Sequence, residues 1–194
     1  GPGAPAFVWV HPRLAERFEQ PLTGWIGHAA PFEFDPHYQP APGIGRYQCG
    51  TPAIVGLSAL ECGVDSVLAA EPLGGMLALR KKSLALSELF IALVQERTTG
   101  MNIASPLDAS QRGSQVSLTC DAKHPHSAAA YAMVQALVAR GVIGDFRAPD
   151  ILRFGLTPLY TRYVDVWDAV EQLRQVLVSE QWREARFNQK AAVT

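Results

Sequence analysis

One arginine within an apolar segment places the strongest constraint on the fold. Residues 151–162 read I-L-R-F-G-L-T-P-L-Y-T-R, a β-prone run that ends in a turn before the next helix. A strand that buries Arg153 has to provide an anion, because an unpaired buried charge costs free energy. A carboxylate meets the planar guanidinium through two parallel hydrogen bonds. Two interpretations stay open here: a bound carboxylate ligand, or an internal pair with an aspartate or glutamate.

A second segment, R-Y-Q-C-G-T-P-A-I-V-G-L at 46–57, predicts the start of a helix. Thr51 suits the N-cap, and Pro52 suits the first helical position, where a missing N–H costs nothing. Gly50 lets the backbone approach a neighbouring group closely. The apolar stretch from Ile54 to Leu68 is long enough for the helix itself. A helix start of this kind binds anions such as phosphate, and an ordinary capped helix without a ligand is the alternative.

The hydrophobic pattern beyond residue 113 predicts a small α/β sandwich. Strands are expected at Gln115–Cys120, 142–147 and 151–156, and helices at 127–140, capped by Ser127 and ended by Gly141, and at 163–182. The apolar stripe of the last helix is Val166, Val170, Leu173 and Leu177. Before this sandwich a strongly periodic helix is expected from about Leu73 to Arg97, with an apolar stripe at Leu77, Leu84, Leu86, Leu89, Phe90, Leu93 and Val94.

The start of the chain is less regular. Ala6–His11 is a continuous apolar, β-branched and aromatic run and predicts a buried strand, followed by a short helix within 12–19. The segment 20–50 is rich in proline, glycine and aromatic residues, and an irregular segment of this length usually has a function.

Composition excludes several classes of function. The chain has 194 residues, 48% of them hydrophobic and 18% charged, which is typical of a globular protein. A net charge of −1 gives no indication of nucleic acid or an anionic membrane as a partner, and no apolar run is long enough to cross a bilayer. Cys49, Cys62 and Cys120 form no disulfide framework, which favours reduced thiols and a cytoplasmic location. His124 and His126 lack a third ligand nearby, so no metal site is expected.

Six blocks of sequence resemble kynureninase, and they cover nearly the whole chain in the order and spacing of that family. The blocks are G-P-G-A-P-A-F-V-W-V at 1–10, G-W-I-G-H at 24–28, R-Y-Q-C-G-T-P at 46–52, L-R-K-K-S-L at 79–84, R-G-V-I-G-D at 140–145 and R-F-G-L-T-P-L-Y-T at 153–161. The resemblance implies an α/β fold of the pyridoxal-phosphate (PLP)-dependent transferase type, fold type I, within the aminotransferase class V group. Residues 1–70 would be the end of the large PLP-binding domain, and 71–194 the small C-terminal sandwich domain with its long linking helix.

The resemblance also implies an activity: PLP-dependent hydrolysis of L-kynurenine or 3-hydroxykynurenine to the anthranilate and L-alanine, in tryptophan catabolism. Trp25, Gly50 and Thr51 would bind the cofactor, Arg153 would bind the substrate α-carboxylate, and His28 would line the pocket or have a structural role. Kynureninases are homodimers about twice this length. Their cofactor-binding lysine falls just before Gly1, so the chain is expected to be a C-terminal half that needs an N-terminal half and has no catalytic residue of its own.

Two rival interpretations remain. A cysteine desulfurase-like enzyme of the same superfamily would need a cysteine on a mobile loop, and Cys120, the only distal candidate, lies in a predicted strand. Cys49 is expected to be a packing residue despite its place beside Gly50. A lysine-free binding or dimerisation module is the third interpretation, and the apolar segments 6–10 and 54–60 argue against it because a free-standing module would carry polar residues there.

Overall fold

The computed structural model describes residues 4–125 and 128–189, and the chain divides into two compact units, Gly1–Ser66 and Val67–Thr194. The bounds of the α-helices are α1 Pro12–Ala15, α2 Ile54–Leu68, α3 Gly75–Arg97, α4 Ala130–Ala139 and α5 Tyr163–Val178. The bounds of the strands are β1 Met101–Ile103, β2 Gln115–Cys120, β3 Asp145–Arg147 and β4 Ile151–Gly155.

The second unit contains an antiparallel sheet in the order β1-β2-β4-β3. Side chains alternate across each strand, so Leu118 faces the same side as its partner Leu152, and both are fully buried. On the opposite side Arg153 lies between Ser117 of β2 and Asp145 of β3. We call this side the polar face, defined by Ser117, Thr119, Asp145, Arg147 and Arg153.

Helices α3 and α4 pack on the apolar side of the sheet, α5 packs against both helices, and all of them share one core with the sheet. The largest fully buried side chains come from all three helices and from β2 and β4: Leu86, Phe90, Val94, Val116, Leu118, Met133, Leu137, Leu152, Val166, Val170, Leu173 and Val176. Phe90 and Phe154 meet with ring centroids 5.1 Å apart. The second unit is therefore a two-layer α/β sandwich, as the alternating sequence pattern predicts.

A buried arginine fixes the loop that leads into β2. The side chain of Arg112 is only 1% exposed and donates to the carbonyl oxygens of Pro106 and Leu107, at 2.7 and 2.9 Å. It also donates to Ser87 Oγ at 3.3 Å and pairs with Glu88, both on α3. The guanidinium thus joins the loop to the helix, and these bonds use the donors of a side chain that is itself buried.

The first unit has little regular structure and is held largely by polar contacts to backbone. Tyr47 donates its hydroxyl to the carbonyl of Ala15 at 3.1 Å, and Arg46 Nε donates to the carbonyl of Ala41 at 3.0 Å. Helix α2, which begins in this unit, has no buried residue, although most of its side chains are apolar. Ile54 and Val55, for example, are 71% and 86% exposed.

Two predictions for the first unit are wrong. Ala6–His11 is not a strand, and Phe7, Val8 and Trp9 are exposed, because a strand requires a hydrogen-bonding neighbour and none of the described residues pairs with this segment. Thr51 is not an N-cap. Helix α2 begins at Ile54, and the carbonyl of Ala53 accepts its first helical bond, from Leu57 N at 2.8 Å.

The second unit needs smaller corrections. Strand β1 was not predicted, Leu77 is 86% exposed instead of facing the core, and Val176 replaces Leu177 as the fully buried end of the α5 stripe. Helix α5 ends at Val178, with a short 3-10 helix at Gln181–Arg183 after it. The predicted cap Ser127 lies outside the described residues, and α4 begins at Ala130.

Candidate functional site

The sequence blocks 24–28 and 46–52 pack against each other within the first unit. Gly24 lies so close to the second block that a Cβ on it would be 1.8 Å from the carbonyl oxygen of Cys49. A Cβ on Gly27 would be 3.0 Å from the carbonyl oxygens of Arg46 and Gln48. Gly24 is therefore required by close backbone approach, whereas a Cβ on Gly27 would force the neighbouring backbone to shift slightly. Cys49 adds a bond from its thiol to the carbonyl of Leu22 at 2.8 Å, which agrees with its predicted packing role.

Trp25, Gly50 and Thr51 lie on this pair of blocks, where solvent reaches them. The indole of Trp25 is about half exposed and packs edge-on against Phe32, with ring centroids 5.7 Å apart. Thr51 is exposed, and a Cβ on Gly50 would meet nothing within 4 Å. An indole N–H, a hydroxyl and an open glycine suit an anionic group such as a phosphate, even though Thr51 is not a helix cap.

His28 is a buried loop residue whose two ring nitrogens are both engaged. Nδ1 accepts from Ala30 N at 2.9 Å, which leaves the proton on Nε2, and Nε2 donates to the carbonyl of His37 at 3.2 Å. Its ring also packs edge-on against Tyr38. These contacts give His28 the structural role that the sequence left open. Its role in lining a substrate pocket stays a prediction, and such a contact would involve the ring edge or require these bonds to break.

Arg153 lies on β4, one of the two inner strands, on the polar face, with a side chain that is 31% exposed. Its NH2 group donates to Oδ2 of Asp145, the residue directly opposite on β3. The same oxygen pairs with NH2 of Arg147 at 2.9 Å. The internal Arg–Asp pair considered from the sequence is therefore present, and the guanidinium is also accessible from solvent. The three side chains carry a formal charge of +1, so the face can accept an anion.

The R-K-K-S block supplies contacts that the sequence did not indicate. Lys82 is partly buried and donates to the carbonyl of Pro158 at 2.7 Å. Arg80 donates to the carbonyls of Ala109 and Arg112, at 3.0 and 2.8 Å. Lys82 thereby joins helix α3 to the T-P-L-Y turn that follows β4, and Arg80 joins it to the loop that precedes β2.

The thiol of Cys120 does not fit a nucleophile. It is buried, and burial together with the nearby charge of Asp150 raises its pKa from 9.0 to about 11. A catalytic thiol needs a lowered pKa, so the desulfurase-like interpretation has no suitable cysteine in the sandwich. Among the described residues, no cluster of His, Cys, Asp or Glu could hold a metal ion. No described helix is both long and apolar enough to cross a membrane.

Known proteins decide between the remaining interpretations. Residues 79–173 match the family model of the kynureninase C-terminal domain. Curated kynureninases match the whole chain: those of Burkholderia mallei (strain ATCC 23344) and Burkholderia pseudomallei (strain K96243) are each 54% identical over 196 residues. The chain belongs to the kynureninase family. The kynureninase of Pseudomonas fluorescens is 46% identical over the same length, and the chain spans 44% of the length of each of these relatives.

Solved structures confirm the predicted fold class. The cystine C–S lyase C-DES, in complex with its product cysteine persulfide, superposes with a TM-score of 0.66 over 86% of this chain and 41% of that chain. The cysteine desulfurase of Thermococcus onnurineus NA1 gives a TM-score of 0.67 over 88% and 42%. Sequence identities of 18% and 15% limit these two likenesses to the fold. Another structure of C-DES has glycine covalently linked to its PLP cofactor.

Proposed function

We propose that this kynureninase-family chain forms the C-terminal part of a PLP-dependent enzyme that hydrolyses L-kynurenine to anthranilate and L-alanine. The observation that carries the proposal is the position of Arg153, at the centre of the accessible polar face and within the R-F-G-L-T-P-L-Y-T block. The 54% identity to curated kynureninases along the whole chain supports the substrate class.

Arg153 would bind the α-carboxylate of the substrate. A guanidinium fork holds a carboxylate through two parallel bonds, which fixes both the position and the orientation of the amino acid. Orientation of the bonds at Cα relative to the cofactor ring lowers the barrier to their cleavage. Lys82 supports this role indirectly, because its bond to Pro158 O fixes the turn that follows β4.

Trp25, Gly50 and Thr51 would contact the cofactor phosphate. Their exposed donors and the free space beside Gly50 fit an anionic group of that size. PLP, when bound, supplies the electron sink for the reaction, and the protein supplies position and electrostatics. The apolar side chains exposed on α2 and at Phe7 and Trp9 support a homodimer that covers them, with the phosphate contacts donated across the dimer interface.

The proposal assigns the cofactor-binding lysine to the part of kynureninases that precedes the matched region, so this chain alone is expected to be inactive. A reduced, cytoplasmic enzyme that also accepts 3-hydroxykynurenine and functions in tryptophan catabolism is part of the same proposal. A desulfurase-like activity is less well supported, because the buried thiol of Cys120 stays protonated.

Reconstitution of the chain with the N-terminal portion of a kynureninase relative tests the proposal. The assembled protein should show the visible absorption of bound PLP and release anthranilate from kynurenine. Arg153→Lys should raise KM for kynurenine strongly, because a point charge replaces the fork, whereas Arg183→Lys, on an exposed 3-10 helix, should leave KM unchanged. Thr51→Ala should weaken retention of PLP. Unchanged kinetics in Arg153→Lys would remove the carboxylate role.

A further inference from the structure

Two arginine side chains on the polar face share one carboxylate oxygen of Asp145. Oδ2 of Asp145 accepts from NH2 of Arg153 and pairs with NH2 of Arg147 at 2.9 Å. Asp145 and Arg153 lie directly opposite each other on neighbouring antiparallel strands, so the sheet fixes the separation of their Cα atoms. Their side chains are 45% and 31% exposed, which leaves room for a ligand beside them.

We propose that Asp145 is a positioning residue for Arg153. It holds one amino group of the guanidinium, so that the remaining donors of the fork are presented to a carboxylate in a single orientation. The proposal rests on the proposed function, in which Arg153 binds the carboxylate of an amino acid. It adds a residue that does not touch the ligand but determines how well the ligand is bound.

The charges favour positioning over blocking. An aspartate alone beside Arg153 would neutralise it and repel an incoming carboxylate. Arg147 compensates the charge of Asp145, so the group of three keeps a formal charge of +1 and still attracts an anion. A free arginine side chain loses considerable rotamer freedom when it binds a ligand, and Asp145 removes much of that freedom before the ligand arrives.

Two variants separate positioning from charge. Asp145→Asn removes the ionic tether with little change in shape, and Arg147→Gln removes a positive charge but leaves the tether in place. If net charge alone governs binding, the first variant binds a carboxylate more tightly and the second more weakly. If Asp145 positions Arg153, the first variant binds more weakly. Asp168→Asn, an exposed aspartate on α5, is the control for an equal change of charge elsewhere.

The measurement is NMR of the arginine Nε–H groups in the chain assembled, without PLP, with the N-terminal portion of a kynureninase relative, so that kynurenine binds but is not hydrolysed. The assembly is titrated with L-kynurenine and, separately, with its methyl ester. In the unmodified chain the Arg153 signal should be ordered and should shift with kynurenine but not with the ester. In Asp145→Asn the signal should become mobile and kynurenine should bind about tenfold more weakly, the scale expected from the rotamer freedom regained. Asp145→Glu should restore much of the order, and Asp168→Asn should match the unmodified chain.

The two hypotheses fail in different ways. An Arg153 signal that is equally ordered in Asp145→Asn, or a variant that binds kynurenine as tightly as the unmodified chain or more tightly, overturns the positioning role. An Arg153 signal that does not respond to kynurenine in the unmodified chain overturns the carboxylate role of Arg153. In that case the order of the signal with and without Asp145 still decides whether Asp145 positions it.

Discussion

Arg112→Met should destabilise the sandwich severely, although the residue lies on no strand and on no predicted site. The guanidinium donates to the carbonyls of Pro106 and Leu107, to Ser87 Oγ, and to Glu88. Methionine fills a similar volume but has no donor, so the two carbonyls and the hydroxyl lose their partner in a place where the original side chain is 1% exposed.

The size of the effect follows from these partners. A hydrogen bond from a charged group contributes about 1.5–3 kcal/mol. A buried charge left without its partner would add about 3–5 kcal/mol, but that penalty does not apply to this pair. Glu88 is 56% exposed and can regain water, so its own penalty is small and the loss should come mainly from the loop carbonyls. We therefore expect a loss of about 3–5 kcal/mol, a large part of the roughly 5–15 kcal/mol that stabilises a typical domain.

Urea unfolding followed by circular dichroism measures this loss. With a slope of about 2 kcal/mol per molar urea, the midpoint of Arg112→Met should fall by about 2 M. The control is Arg162→Met, which also removes an arginine paired with a carboxylate, here that of Asp165 at 2.6 Å on the exposed start of α5. Water replaces that pair easily, so the control midpoint should hardly move. Equal shifts in the two variants would refute the claim that burial makes Arg112 important.

Three further predictions concern other parts of the chain. Gly24→Ala should unfold the first unit, whereas Gly50→Ala should be tolerated, because only the first Cβ meets a carbonyl; limited proteolysis distinguishes them. The free energy of unfolding should fall as pH rises from 9 to 11, because the Cys120 thiol loses its proton near pH 9 in the unfolded chain but only near its pKa of about 11 in the folded chain. Urea titrations at several pH values should show that Cys120→Ala removes this part of the pH dependence. Hydrogen bonds from Arg174 and Gln175 lower the pKa of Glu171 from 4.5 to about 2, so Glu171→Gln should flatten the loss of stability between those pH values.

The periodic segments of the sandwich could be predicted because buried residues recur at every second position in a strand and at every third or fourth position in a helix. Strand β2 has the predicted bounds, with Val116, Leu118 and Cys120 buried and the residues between them facing the other way. Helix α3 begins two residues after its predicted start and ends at the predicted Arg97. Strand β1 spans three residues at the edge of the sheet, beside β2, and was too short to show a period.

The first unit was harder to predict because its structure depends on partners distant in sequence. Ala6–His11 has the composition of a strand, but a strand also needs a neighbour to pair with, and composition does not show whether one is present. The glycine at position 24 is required by the carbonyl of Cys49, a contact that spans 25 residues of irregular chain. Only the resemblance to kynureninase grouped the blocks 24–28 and 46–52 into one site, and the structure places them side by side.

Most of the described buried or partly buried cations of the sandwich have a structural role, and comparison with them helps to define the role of Arg153. Main-chain carbonyls of loops accept hydrogen bonds from Lys82, Arg80 and Arg112. Every residue has such a carbonyl, so the amino-acid sequence does not indicate which ones act as partners. Arg140 donates to the side-chain oxygens of three glutamines, on α5 and just beyond it. These cations therefore act as structural hydrogen-bond donors, a role that the sequence pattern does not predict.

Arg153 differs from them in its position and exposure, although Arg112 also pairs with a carboxylate, that of Glu88, through a side chain that is 1% exposed. Arg153 lies on a strand, its hydrogen-bond partner is a carboxylate, and its guanidinium is accessible on the polar face. A structural cation gains most when its donors are all used inside the fold, whereas a ligand-binding cation needs donors that remain available. The sequence could identify Arg153 because it is the one charge within the apolar residues 151–156. It could not identify Asp145, because the register of β3 against β4 determines which residue lies opposite Arg153. This contrast with the structural cations supports ligand binding as the role of Arg153.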